Sequence, residues 1–267
     1  AVAYADPYYP SYHCMTVMSR AEEILLPSLP ERGFLPDLDA VPADTWERVK
    51  VLVLNYPNNP TGAQAPREFL EHAVELAHEH HFAIVQDFAY AGLGVHDQQI
   101  SILSLPGAFD VAVEVCSLSK MYAMAGWRAG FIAGNDDIVS HVKQYHYQMG
   151  SMITGNVQDA GAAALESDQS CVRELAERYA LRRKIVAGGL RDAGLDVFDS
   201  DGGIYAWVHA PEGSTGERFA DLLLERAAVA ALPGTCFGKV GVDYVRFSLL
   251  KSEDQLREAV RRVTAVL

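Results

Sequence analysis

The sequence lacks any uninterrupted apolar run long enough to cross a bilayer, and no signal-peptide pattern stands at its start. Positive charge is also scarce: 22 Lys and Arg stand against 35 Asp and Glu, giving a net charge of −13. A nucleic-acid binder is usually basic, so this balance argues against one. With 267 residues, we expect an ordinary globular chain of one or two domains that binds neither membrane nor nucleic acid.

Cysteine is rare and scattered, which argues against a disulfide framework or a cysteine metal site. The four cysteines are Cys14, Cys116, Cys171 and Cys236. Reduced thiols in a cytoplasmic protein are the simplest interpretation. The run His78-Glu79-His80-His81 suggests a metal, but it lies at a predicted helix C-terminus, where His is favoured by the helix dipole. We therefore expect no metal site.

The sequence also lacks an initiator Met and begins inside an apolar, strand-like run, Ala1–Ala5. A core strand needs neighbours on both sides, so a domain rarely starts in the middle of one. The sequence therefore predicts that the natural N-terminal portion of the protein is missing.

Apolar strands alternate with helices in the first two thirds of the chain. The predicted strands include Lys50–Leu54, Phe82–Val85, Val111–Cys116 and Ala129–Ala133. They show no clear polar alternation, which indicates an α/β fold whose mostly parallel sheet is covered by helices on both faces. After them, helices mix with fewer strands, so we expect a large domain over residues 1–180 and a smaller α+β domain over residues 181–267.

Boundaries follow from turn-forming and helix-capping residues. Pro27–Asp44 is rich in Pro, Gly and Asp and predicts a surface connection with at most one helical turn. Pro66 is expected at the first position of a helix. Toward the C-terminus, Val242–Leu249 predicts a strand and Ser252–Leu267 a closing helix.

Three predicted strands end on residues with useful chemistry: Asn59, Asp87 and Lys120. In an open parallel sheet, ligands bind beyond the carboxyl ends of the strands, so these residues are expected around one crevice. A lysine can form a Schiff base with an aldehyde, and a buried Asp can keep a pyridine nitrogen protonated. This combination indicates pyridoxal 5′-phosphate (PLP), bound covalently through Lys120.

The remaining cofactor contacts follow from the same pattern. Asn59 and the phenol of Tyr90 are expected to hydrogen-bond the ring oxygen of the cofactor. Ser117, Ser119 and Arg128 surround the lysine in the sequence and are expected to contact the phosphate, since hydroxyls and guanidinium groups bind phosphate well.

These residues stand in blocks that resemble the class I/II aminotransferases of PLP fold type I. The blocks are Asn58–Gly62, Asp87–Tyr90, Ser117–Lys120 and Gly126–Arg128, and their order and spacing match that family. Asp6–Tyr12 resembles the family segment whose aromatic stacks on the cofactor, which implies Tyr9 here; without the family, Tyr9 fits a packing residue equally well.

The C-terminal third carries two further likenesses. Val245–Ser248 resembles the segment whose arginine binds the substrate α-carboxylate, which implies Arg246. That arginine also interrupts an apolar strand, where a charge needs an anionic partner. Leu232–Gly238 resembles a loop of the branch with bacterial aspartate and LL-diaminopimelate aminotransferases.

The resemblance implies a homodimeric, PLP-dependent aminotransferase that moves an amino group from an amino acid to a 2-oxo acid. Two alternatives remain open. One is another PLP reaction on the same fold, such as a β-eliminating C–S lyase or a cyclopropane-carboxylate synthase. The other is an aminotransferase-like effector domain of a transcription regulator, although such domains commonly depart from the Asn-Asn-Pro-Thr-Gly block.

Overall fold

The computed structural model describes residues 1–94, 99–150 and 152–267. Its strands are β1 (Val2–Asp6), β2 (Glu23–Leu29), β3 (Leu35–Pro36), β4 (Val51–Leu54), β5 (Ala83–Asp87), β6 (Ala112–Ser117), β7 (Gly130–Gly134), β8 (Tyr205–His209), β9 (Leu232–Pro233) and β10 (Tyr244–Ser248). Its helices are α1 (Ser11–Met18), α2 (Ala43–Arg48), α3 (Arg67–His80), α4 (Ala108–Val111), α5 (Leu118–Met121), α6 (Asp136–Gln148), α7 (Gly155–Glu166), α8 (Ser170–Asp192), α9 (Gly216–Ala227) and α10 (Glu253–Thr264).

Contacts divide the chain into two units. The first unit consists of Ala1–Val2, Leu38–Pro57 and Ala65–Ala176, and the second unit of Ala3–Asp37, Asn58–Gln64 and Glu177–Leu267.

The first unit contains a mostly parallel sheet. Strands β4, β5 and β6 run parallel to one another, whereas β7 pairs antiparallel with β6. Leu52 and Ile84 are paired across β4 and β5, and neither has any exposed surface. Such central strands are apolar because both sheet faces are covered. The expected α/β fold with a mostly parallel sheet is confirmed.

Helix α3 shows why the sequence forms a helix between β4 and β5. Its buried side chains recur at helical spacing and form one face: Leu70, Ala73, Val74, Leu76 and Ala77. Pro66 is the N-cap of this helix and not its first residue, so the expected position was wrong by one. The extended backbone of Pro66 suits a cap, where no N–H is needed.

The second unit contains a three-stranded antiparallel sheet in the order β8-β10-β9. Trp207 and Val245 are fully buried in it, and the Trp207 ring stacks on Tyr244 at 5.1 Å. Helix α10 begins with a capping box, in which Ser252 and Gln255 each accept a hydrogen bond from the other's backbone N–H.

Several boundaries differ from expectation. The region Pro27–Asp44 is more regular than a surface connection: β2 continues to Leu29, and β3 pairs antiparallel with it. Val111 ends the short helix α4, because the ladder of β6 begins at Ala112, opposite Ile84. Ends of elements depend on where a partner strand begins, which local composition does not encode.

Candidate functional site

In the first unit, two neighbouring strands end at the same edge of the sheet. Asp87 is the last residue of β5 and pairs with Val115 of the parallel strand β6. Strand β6 ends two residues later, at Ser117. The N–H of Phe88 donates to the carbonyl of Val115 at 2.9 Å, which holds the two strand ends side by side. The expected convergence of Asp87 and the lysine-bearing segment therefore arises from parallel pairing.

Asp87 is fixed by its backbone and by its side chain. Asn55 donates its side-chain N–H to the carbonyl of Asp87 at 2.9 Å, and Oδ1 of Asp87 accepts the N–H of Ala89 at 3.2 Å. The chain then turns, with the N–H of Leu93 donating to the carbonyl of Tyr90. Tyr90 is buried within this turn.

Lys120 lies in the single-turn helix α5, which starts at the end of β6. Oγ of Ser117 caps this helix by accepting the N–H of Ser119 at 3.2 Å. A Ser at this position is favoured because a cap must satisfy a helix N–H that has no partner in the helix. Ser117, Ser119 and Lys120 are all half-buried.

Arg128 is brought beside this helix by a backbone contact. The N–H of Leu118 donates to the carbonyl of Ala129 at 3.1 Å, and β7 begins directly afterwards, pairing Gly130 with Ser117. The Arg128 backbone is left-handed, with φ of 54°, and its Nη1 donates to the carbonyl of Ala125. Its side chain is exposed at the same sheet edge as Ser117.

The thiol of Cys116, one residue before Ser117, is not a reactive group. Burial raises its pKa to about 12, and the nearby carboxylates of Glu114 and Asp87 add to the effect. A thiol nucleophile needs a lowered pKa, so Cys116 is held in the protonated form.

In the second unit, Asn58–Gly62 forms a tight turn. Oδ1 of Asn58 accepts both the N–H and the hydroxyl of Thr61, at 3.2 and 2.9 Å. Gly62 has φ of +78°, and a Cβ there would lie 2.8 Å from Ser200 and from the carbonyl of Gly202. Only glycine fits this position. The turn is thus tightly built, and it presents the neighbouring Asn59.

Asn59 is buried and contacts Arg246. Nη1 of Arg246 donates to Oδ1 of Asn59 at 2.7 Å. The guanidinium also lies over two aromatic rings, 3.9 Å from the centroid of Tyr205 and 4.6 Å from that of Phe237. Cation–π contact with buried rings stabilises a charge that burial would otherwise disfavour. The planar guanidinium is therefore held in one orientation.

The predicted site residues fall into two groups. Asp87, Tyr90, Ser117, Ser119, Lys120 and Arg128 share one sheet edge of the first unit, whereas Tyr9, Asn59 and Arg246 belong to the second unit. Tyr9 is 41% exposed, and its ring packs edge-on against Tyr12 at 5.7 Å. The role of each residue stays a prediction.

Sequence reasoning missed Tyr205 and Phe237 as partners of Arg246. Phe237 stands in the Leu232–Gly238 segment. The likeness of that segment to a family loop was the sequence signal that could have pointed to Phe237. Tyr205 stands at the start of β8, and Ser248 of β10 is opposite it. Tyr205 and Trp207 are two residues apart in β8, so their side chains point to the same face of the strand, and this was the sequence signal for an aromatic near Arg246. Which of these rings lies over the guanidinium depends on strand register.

The donor set of the first unit fits PLP. An amine, a carboxylate and a phenol stand at one strand edge with two hydroxyls and a guanidinium, which matches an aldehyde, a protonated ring nitrogen, a ring oxygen and a phosphate.

The described residues 1–94, 99–150 and 152–267 include no group of three His, Cys, Asp or Glu side chains placed to hold a metal ion. In the His78–His81 run, the ring of His78 hydrogen-bonds the carbonyl of Gly107 at 3.0 Å. The ring of His80 stacks on Trp46, and His81 is the left-handed C-cap of α3. Within the same residues, every helix is too short or too polar to span a membrane.

Comparison with known proteins identifies close relatives. Residues 1–263 match the family described as aminotransferase class I and II. The chain is 42% identical over 259 residues to L-glutamine–4-(methylsulfanyl)-2-oxobutanoate aminotransferase of Bacillus subtilis, covering 97% of this chain and 65% of that protein. It is also 42% identical over 258 residues to LL-diaminopimelate aminotransferase of Syntrophobacter fumaroxidans, covering 96% of this chain and 66% of that one. The chain thus spans about two thirds of the length of these relatives.

Solved structures are also similar to nearly the whole of this chain. The apo form of BacF from Bacillus subtilis superposes with a TM-score of 0.93 at 34% identity, covering 99% of this chain and 68% of that one. An aminotransferase from Staphylococcus aureus has the same TM-score and identity and covers 99% and 70%.

Proposed function

The chain belongs to the aminotransferase class I and II family, and from this membership we propose that the protein is a PLP-dependent aminotransferase that moves an amino group from an amino acid to a 2-oxo acid. The observation that carries the proposal is the shared sheet edge of Asp87, Ser117 and Lys120, since an amine, a carboxylate and phosphate-binding hydroxyls are what this cofactor requires. We propose the same large domain, residues 1–180, and small domain, residues 181–267, as the sequence predicts.

Bound PLP supplies an electron sink for the electrons of a broken bond at the substrate Cα. In the proposal, the amine of Lys120 holds the cofactor aldehyde and, once released, moves the proton at the substrate Cα. The carboxylate of Asp87 holds the proton on the ring nitrogen. Asn59 and Tyr90 donate to the ring oxygen, and the ring of Tyr9 covers the cofactor.

We assign the phosphate to Ser117, Ser119 and Arg128. Ser117 caps α5 and Ser119 belongs to it, while Arg128 precedes Ala129, whose carbonyl accepts the N–H of Leu118 of that helix. Arg246 is assigned to the substrate α-carboxylate. Its guanidinium is already oriented by Asn59 and two rings, so binding a carboxylate needs little reorganisation.

The substrates are proposed from the relatives. L-Glutamine with 4-(methylsulfanyl)-2-oxobutanoate, and LL-diaminopimelate, are the substrates in the names of the similar enzymes. A single-turnover screen with these and other amino acids, following the loss of the absorbance of the lysine-bound cofactor, would rank them. We further propose that the protein is a cytoplasmic homodimer.

The central test replaces Lys120 with Ala. We expect Lys120→Ala to abolish both the visible absorbance of the lysine-bound cofactor and all amino-group transfer, because no other amine is assigned to the aldehyde. Lys50→Ala is the matched control, since Lys50 is exposed and its Nζ donates to the backbone carbonyl of Glu47. Retention of the lysine-bound absorbance in Lys120→Ala would rule the assignment out.

A further inference from the structure

Asp6, at the end of β1, holds a loop that is more than two hundred positions away in the sequence. Its Oδ2 accepts the backbone N–H of Lys239 at 3.0 Å, and its Oδ1 accepts that of Val240 at 3.2 Å. The residue is 4% exposed. Burial raises the pKa of this carboxyl, and the two N–H donors oppose that effect by stabilising the charged form. One carboxylate thus satisfies two adjacent backbone donors.

The loop fits closely around Asp6. A Cβ at Gly238 would overlap Oδ1 of Asp6 and crowd the ring of Tyr8, and Gly238 has φ of +117°. The N–H of Tyr8 also donates to the carbonyl of Phe237 at 2.8 Å. The segment around Asp6 therefore fixes both ends of the short stretch from Phe237 to Val240.

Phe237 connects this stretch to Arg246. It ends the 3₁₀ turn Gly234–Phe237, it is 2% exposed, and its ring face lies 4.6 Å from the guanidinium of Arg246. Phe237 is followed by Gly238, which has no side chain to anchor it. The position of the ring therefore depends on what holds the backbone on either side.

We propose that Asp6 is a positioning residue for carboxylate recognition: by binding the N–H groups of Lys239 and Val240 it fixes Phe237, which in turn orients the guanidinium of Arg246. This inference rests on the proposed role of Arg246 in binding the substrate α-carboxylate. Asp6 itself touches neither the substrate nor the guanidinium in this scheme. It acts through the loop.

The physical reason is geometric. A guanidinium binds a carboxylate best as a planar fork with two parallel hydrogen bonds, so a tilt of the plane costs affinity. Tyr205 and Phe237 supply the ring contacts that define that plane. If the loop loses one of its two contacts with Asp6, the Phe237 ring gains freedom and the fork is less well oriented before the ligand arrives.

The experiment measures equilibrium binding by calorimetry on the cofactor-loaded protein, using two unreactive probes. Glutaramate is L-glutamine without its amino group, and glutaramide carries a neutral amide in place of the carboxylate. Asp6→Asn is nearly isosteric but presents an amide N–H to one of the two backbone donors. We expect its affinity for glutaramate to fall about tenfold, with the affinity for glutaramide unchanged.

Asp168→Asn is the matched control. Oδ1 of Asp168 also accepts a backbone N–H, that of Ser170 at 2.9 Å, but it does so in a turn before α8. We expect this variant to bind glutaramate as the parent protein does. General damage to the second unit by Asp6→Asn would lower the affinity for both probes equally, and that result would overturn the inference.

A double-mutant cycle tests the route through Phe237. Phe237→Leu keeps an apolar side chain but removes the ring, and we expect it to weaken glutaramate binding by a similar factor. Adding Asp6→Asn to Phe237→Leu should then cost less than about twofold, because the effect of Asp6 needs the ring. Full additivity of the two losses would contradict the proposed route.

Arg246→Lys separates this inference from the proposed function. If Arg246→Lys weakens glutaramate binding but Asp6→Asn does not, only the positioning role is wrong. If Arg246→Lys leaves glutaramate binding unchanged, the carboxylate role of Arg246 is wrong and the inference falls with it. Should Asp6→Asn fail to fold, Phe237→Leu decides: unchanged glutaramate affinity in that variant overturns the inference.

Discussion

Arg246 lies in a strand between apolar neighbours, where an isolated charge would be costly. The structure surrounds it with a neutral amide oxygen and two ring faces, which compensate the charge without cancelling it. Because these three groups are neutral, none of them neutralises the positive charge that the proposed binding of a carboxylate uses.

Arg246→Lys is expected to raise the KM for the amino acid by roughly tenfold or more, with a smaller change in kcat. Lysine keeps the charge but loses the planar fork and the ring stacking. Steady-state kinetics would measure both constants, with the exposed Arg262→Lys as control. An unchanged KM would remove Arg246 from the substrate site.

Glu114 is a second buried charge, on the strand that leads to the lysine. Oε2 accepts the hydroxyl of Ser101 at 2.7 Å, while Oε1 is buried and makes no hydrogen bond among residues 1–94, 99–150 and 152–267. Burial raises the pKa of this carboxyl above its ordinary value of 4.5. The folded protein therefore takes up a proton here more readily than the unfolded chain does.

Because the folded-state pKa is raised, the cost of the buried charge is present above that pKa and disappears as the pH falls through it toward 4.5. We expect Glu114→Gln to raise the Tm by a few degrees at pH 8 and to make little difference near pH 4.5. Thermal unfolding across that pH range would measure this, with the exposed Glu225→Gln as control. A lower Tm for Glu114→Gln at pH 8 would show that the charge is stabilising.

At the scale of elements, capping residues determine where helices begin. Ser252 precedes α10, and its Oγ accepts the N–H of Gln255, while the Gln255 side chain accepts the N–H of Ser252. The sequence predicts a helix from Ser252, and the helix starts one residue later because the cap itself is not helical. Ser followed three residues later by Gln is the local sequence pattern of a capping box, so this helix start can be recognised from the sequence alone.

Ser252→Ala is expected to cost about 1 kcal/mol of unfolding free energy, because it leaves a helix N–H without its acceptor. That loss corresponds to roughly 2–4 °C in Tm for a protein of this size. Differential scanning calorimetry would measure it. Ser252→Thr retains the acceptor oxygen, so an equal loss in both variants would contradict the capping explanation.

The ends of the strands gave the most information about the position of the candidate site. Parallel pairing of β5 and β6 places Asp87 and Ser117 at one edge, and this follows directly from two apolar runs that each end in polar residues. The sequence does not predict the two-residue strands β3 and β9, because a strand that short has too few residues to show an alternation of apolar and polar side chains.

At the scale of the molecule, α6 and Met149 after it expose several large aromatic and apolar side chains. None of the residues of α6 is buried, and the exposed fractions of Tyr145, Tyr147 and Met149 are 66, 72 and 62%. Exposed apolar patches of this kind mark interaction surfaces. We associate this one with the proposed homodimer.

We expect sedimentation at micromolar concentration to give twice the chain mass of 29.2 kDa. The double variant Tyr145→Lys with Tyr147→Lys should shift the protein toward the monomer by placing charge in the contact. Leu224→Lys, which alters an exposed apolar residue of α9, is the control. A dimer that persists in the tyrosine variant would place the interface elsewhere.

The sequence by itself determined the types of the longer elements, the α/β class and the residues that stand at the ends of β5 and β6. These depend on residues close together in the chain: a buried run followed by Asp87, or another followed by Ser117 and Lys120. Short-range patterns of burial and turn chemistry encode such features, so they can be read without coordinates.

Only the tertiary structure decided what surrounds Arg246. Its ring partners Tyr205 and Phe237 depend on strand register and on a loop, and that loop is held by Asp6, 233 positions from Lys239. Contacts over that separation leave no periodic trace in a single sequence. They exist because folding brings a buried carboxylate to two backbone N–H groups that have few other ways to be satisfied.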